Sequence, residues 1–136
     1  MTRLPDHEQA IHILQQAQLR ILEGWCQRNL ALNGRGRRVT TFDKHITRYS
    51  LMGAVHKEMR RVRWTSRKHD DRVFELIVLA LGRTVGGPDS RGGRLMPYLE
   101  PWTMWHDVKG RKVHEVCSKV DEAILDIRRR NGQQEP

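Results

Sequence analysis

The chain has 136 residues, 38% of them hydrophobic and 30% charged, with a formal net charge of +9. That charge is local: residues 35–68 hold eleven Lys/Arg against Asp43 and Glu58, while the segments on either side each balance to zero, and such a field selects polyanions or acidic protein surfaces as partners. One domain over residues 1–136 is the default at this length, and without an apolar run near the roughly 18 residues of a span, or a signal-peptide start, the expectation is a cytosolic protein with no membrane partner.

Taken in chain order, Pro5-Asp6 opens the first predicted helix with Asp6 as N-cap, and Ala10, Ile11, Leu14, Ala17, Ile21, Leu22 and Trp25 form one apolar stripe up to Gly24. Asn33-Gly34 lies between Leu30-Ala31-Leu32 and Val39-Thr40-Thr41, which predicts a small hairpin or ordered loop near residues 30–41. The second helix runs from near Asp43 or Tyr49 to Val62, with Met52, Val55, Met59 and Val62 inward. At about 100° per residue, Lys57, Arg60, Arg61 and Trp64 fall on the other side, so the basic face separates from the core face. Asp70 caps a third helix, Arg72–Leu81, which is apolar nearly all round and reads as the middle of the core. Glycines and prolines from Gly82 to Pro101 predict a long loop, the best candidate for a mobile or partner-binding segment. A last helix, Lys112–Arg129, precedes a polar, frayed tail at 131–136. The fold class is mostly α: a compact bundle of about four main helices with a small hairpin.

Three constellations carry possible chemistry. The first is basic: Arg35, Arg37, Arg38, Arg48, Lys57, Arg60, Arg61, Arg67 and Lys68 suit phosphate contact, and Trp64 suits stacking on a base. No sequence-reading module accompanies them. The second is His114-x-x-Cys117, one helical turn apart, but a structural zinc site needs four converging ligands and the second pair is missing, so neither metal nor cofactor is expected. Cys26 and Cys117 are expected as reduced thiols. The third is Trp105-His106-Asp107, where a His beside an Asp resembles a general base with its orienting carboxylate. Adjacent residues usually point apart, which favours Asp107 as a cap of the last helix or of the turn before it, with Trp102 and Trp105 as anchors. An aromatic pocket with Trp25 meeting Trp105 and with Gln27, Arg48 and Asp107 at its rim is the remaining alternative.

Gly24-Trp25-Cys26-Gln27, Tyr49-Ser50-Leu51-Met52-Gly53-Ala54-Val55 and Trp105-His106-Asp107, with Gly110-Arg111 and Glu115-Val116 following, form an ordered set across most of the chain. The set resembles a group of small uncharacterised bacterial and phage proteins with a Gly-Trp-Cys-Gln stretch, a Leu-x-Gly-Ala helix start and a Trp-Asn-Asp stretch before a C-terminal helix. This sequence departs from that pattern with His106 in place of the usual Asn and Ser50 in place of a common Cys. The resemblance implies a small helical domain and carries no known activity.

The leading expectation is a non-enzymatic protein that docks on nucleic acid or a nucleoprotein complex through residues 35–68. Its runner-up is a phage or mobile-element factor that binds an acidic surface of a host defence or replication protein, in an anti-CRISPR-like role. A small hydrolase using His106 and Asp107 ranks third. The oligomeric state has no signature in the sequence.

Overall fold

The computed structural model describes residues 4–61, 67–87 and 96–132, with the side chains of 67–69 and 96–98 outside that description. Its elements are α1 (Asp6–Glu23), β1 (Ala31–Asn33), β2 (Arg38–Val39), β3 (Ile46–Tyr49), α2 (Leu51–Arg61), α3 (Arg67–Thr84), α4 (Met96–His106) and α5 (Val113–Arg130). α1 is the hub: it packs against α2, α3, α5 and β3 through Ala10, Ile13, Leu14, Ala17 and Ile21, all essentially buried. The other helices meet it with Val55, Val73, Ile77, Leu81, Val120 and Ile127, each contributing roughly 1.5–3 kcal/mol relative to leaving it in water. The predicted middle of the core is shared by two helices: α1 packs against α2, α3 and α5, and α3 against α1, α4 and α5. Asp6 is the first residue of α1 rather than its cap. The cap position is Pro5, with no side-chain bond, and Asp6 and Glu8 instead place carboxylates in the first turn, where the helix dipole favours them.

A three-stranded antiparallel sheet of order β2-β1-β3 lies between α1 and α2 in the chain. Its hairpin does not turn at Asn33-Gly34 alone. Asn33 Oδ1 accepts the amides of Arg35 and Arg37 at 2.9 and 3.0 Å, and Gly36 takes the positive φ of 75° that this four-residue loop needs. β3 replaces the predicted early start of the second helix: Ile46, Arg48 and Tyr49 pair with β1, and the helix starts only where Ser50 Oγ accepts the Gly53 amide at 3.0 Å, an N-cap geometry.

α4 corrects the predicted loop at 82–101. α3 runs on to Thr84, a turn follows to Gly87, residues 88–95 lie outside the described residues, and a helix then carries Pro97 and Pro101. Pro97 stands in the first turn, where its missing N–H has no helical partner anyway, and the missing N–H of Pro101 would have faced the Pro97 carbonyl, so the helix loses one bond. Trp102, 1% exposed, fixes α4 to the core. α5 starts with the Glu115 carboxylate accepting the Lys112 amide at 2.9 Å. Asn131 and Gly132 form a turn after it, and 133–136 lie outside the described residues.

Candidate functional site

The three stretches singled out by order and spacing meet at one buried junction. After α1 the chain runs beside the end of β3: the Tyr49 amide donates to the Gly24 carbonyl at 2.9 Å and the Cys26 amide to the Tyr49 carbonyl at 3.0 Å. Only glycine fits at position 24, since a Cβ there would collide with the Thr47 carbonyl. Gly53 does the same for α2, whose first turn presses on the Leu30 carbonyl. His106, 3% exposed, sits where these segments converge. Its Nε2 accepts the Trp25 indole N–H and the Leu51 amide, each at 3.3 Å, so Nδ1 carries the proton and donates to Asp107 at 2.8 Å. Asp107 also accepts the Arg28 amide at 3.0 Å, from a residue held at a φ of 69°. Gln27 closes the junction by donating to the carbonyls of His106 and Val108, both at 2.8 Å.

Chemically this is a neutral, fully engaged imidazole. Burial pushes His106 below 6.5, outweighing the raising effect of its hydrogen bond to Asp107, and Arg111 adds to the lowering. A general base needs a nitrogen lone pair facing a substrate proton, and here the lone pair of Nε2 already faces two donors of the chain itself. Asp107 therefore orients His106 and the Arg28 turn and does not cap α5. The rings of Trp102 and Trp105 lie 5.2 Å apart, tilted by 32°, and Arg111 lies 3.9 Å above Trp105, while Trp25 meets His106 edge-on at 5.7 Å. A pocket of about 170 Å³ opens beside the junction, lined by Leu30, Met52, Leu99, Trp102, Arg28 and Asp107 among others, smaller than the roughly 300 Å³ at which small-molecule sites begin. Cys26 is buried and Cys117 half-buried, both free, and burial raises Cys26 to about 11. His114 is exposed on α5, and among the described residues no three His, Cys, Asp or Glu group as metal ligands.

The basic residues occupy the sheet, its turn and the end of α2. In the register, Leu32 pairs with Arg38 on one side and Arg48 on the other, and residues paired directly across strands share a face. Ala31, Val39 and Tyr49 take the opposite, core-facing side. The outer face thus presents Arg38, Leu32 and Arg48 in a row, with exposed Arg35 and Arg37 at the turn. Arg60 and Arg61 are exposed at the end of α2. Lys57 is not a free cation: it is half-buried and donates to the Thr41 carbonyl at 3.2 Å. α2 is also less cleanly two-sided than its periodicity implies. Met59 is only half-buried, and Glu58 is 2% exposed within the core side, bonded to Arg20 at 2.5 Å and 3.8 Å from Arg61.

One of the two carboxylates of the basic segment, Glu58, is drawn into the core. Glu58 is spent inward on Arg20, and Asp43 Oδ1 accepts the His45 amide at 2.7 Å. Val62 and Trp64 lie outside the described residues; Arg67 and Lys68 stand in the first turn of α3, with their side chains outside the description. One exposed side chain on this surface escaped the sequence reading: Phe42, in the loop between β2 and β3, is 70% exposed with the Arg60 guanidinium 3.1 Å from its ring centre. The signal was present in the sequence as a lone aromatic within Thr40-Thr41-Phe42-Asp43-Lys44, a segment otherwise polar.

Compared with known proteins, residues 5–126 match the model of a family described as a family of unknown function, DUF6197. No curated protein and no solved structure matches the chain.

Proposed function

The chain belongs to this family of unknown function, and from that premise we propose that it is a non-enzymatic binding protein whose sheet, hairpin turn and α2 end dock on nucleic acid. One observation carries the reading: the register sets Arg38 and Arg48 on either side of Leu32 on the outer face of the sheet, beside Arg35 and Arg37, with Glu58 paired inward to Arg20. Guanidinium groups set along one face of a sheet are suited to bidentate contact with phosphates, since the planar fork matches phosphate geometry. The contacts are to the backbone, so the reading predicts affinity without base preference.

The test is fluorescence anisotropy with labelled single-stranded DNA, single-stranded RNA and duplex at about 50 mM salt, for the wild type and for Arg38→Glu/Arg48→Glu. Reversing two contacts is expected to weaken binding by at least tenfold with an unchanged melting curve. Wild-type protein that binds none of these probes, or a double variant that binds as tightly as wild type, overturns the proposal. Stoichiometric capture of one acidic protein in place of nucleic acid would instead support the docking of this face on a protein surface.

A further inference from the structure

Phe42 is the one large aromatic exposed by more than two-thirds among the described residues, and its position is fixed from both sides. Thr41, 6% exposed, is turned inward, and its carbonyl is held by Lys57. Beyond Phe42, the Asp43 amide donates to the Thr40 carbonyl at 3.1 Å, and the Asp43 carboxylate holds His45. The chain between these anchors turns Phe42 outward, and Arg60 lies on one ring face at 3.1 Å. With the residue 70% exposed while a guanidinium covers one face, the second face is bare.

We infer that Phe42, braced by Arg60, is a stacking platform for an unpaired base, so that the ligand of the basic face is single-stranded nucleic acid. This rests on the reading of that face as a nucleic-acid interface. Base–aromatic stacking needs a rigid exposed ring beside cations that track the phosphates, and both conditions are met here. Arg60 is that cation at the ring itself, and Lys44 is exposed two residues along the chain. Arg38, on the sheet, lies four residues before Phe42, at most about 14 Å of extended chain. A strand whose phosphates reach the sheet arginines therefore brings a base to the ring within a few nucleotides. A duplex keeps its base faces stacked on each other and offers the ring nothing, although its phosphates still suit the arginines.

The experiment measures anisotropy for three labelled probes: a 12-nucleotide single strand, a duplex, and the same single strand built with abasic sites. Phe42→Ala is expected to weaken binding of the intact single strand on the order of 5- to 100-fold while leaving duplex binding within twofold. Phe42→Trp is expected to retain single-strand affinity, and the abasic strand to bind the wild type no better than the intact strand binds Phe42→Ala. Phe42→Ala that binds the single strand within twofold of wild type overturns the stacking role while the interface stands. Wild-type protein that binds neither strand nor duplex overturns both. Phe42-dependent binding to an acidic polypeptide, with no effect of Phe42→Ala on the single strand, overturns the assignment in favour of a protein ligand.

Discussion

His106 shows how one buried residue organises three distant segments. Its ring ties Trp25 after α1 and Leu51 at the start of α2 to the end of α4, so truncation strands two donors and leaves a cavity. His106→Ala is expected to cost about 2–4 kcal/mol in urea denaturation. The same ring sets a pH dependence. Burial lowers His106 and His56 below 6.5, so both are neutral in the folded chain when the unfolded chain begins to protonate. Their contribution is whole above 6.5 and shrinks as pH falls from there through the lowered folded values. Melting temperature should be level from pH 8 to 7 and fall as the pH drops below 6.5, with a shallower fall in His106→Gln; a flat profile would contradict the assignment of a neutral ring. At Cys26, the raised thiol and burial predict negligible reaction with a disulfide reagent at pH 8 until the protein is unfolded.

Among the elements, the helices with regular apolar stripes were legible and those defined by tertiary contact were not. α1, α3 and α5 follow from the spacing of residues such as Leu14, Ile77 and Val120. α4 was hidden because Pro97 and Pro101 usually mark a break, and the packing of Leu99, Trp102 and Trp105 against the core outweighs the one lost bond. β3 was hidden because four residues, Ile46–Tyr49, are too few to show a period beside an obvious helix. Close approach between elements gives a sharp test. A Cβ at Gly53 would overlap the Leu30 carbonyl, a backbone atom that cannot swing aside, so Gly53→Ala should destabilise by about 3 kcal/mol or more. Gly36 faces open space and needs only its positive φ, so Gly36→Ala should cost about 1 kcal/mol. Equal losses in the two variants would refute the argument from contact.

At the scale of the molecule, the sequence revealed where the charge lies but not how it is arranged. Counting residues finds the excess at 35–68; it does not find that Glu58 is buried under Arg20, that Lys57 braces a loop, or that Arg38 and Arg48 flank Leu32. Those facts depend on strand register, which a short hairpin does not spell out. The Gly-Trp-Cys-Gln, Leu-Met-Gly-Ala and Trp-His-Asp stretches were likewise visible as an ordered set, while their convergence on His106 emerges only in the fold, which gives them a common structural task separate from the basic face. The measurement that bears most directly on the docking of that face is the salt dependence of single-strand binding. If Arg35, Arg37, Arg38 and Arg48 each neutralise one phosphate, log K should fall against log salt with a slope of about −2.8, and Arg38→Glu/Arg48→Glu should flatten it to about −1.4 or less. A wild-type slope near zero, or a double variant that keeps the wild-type slope and affinity, would contradict the account.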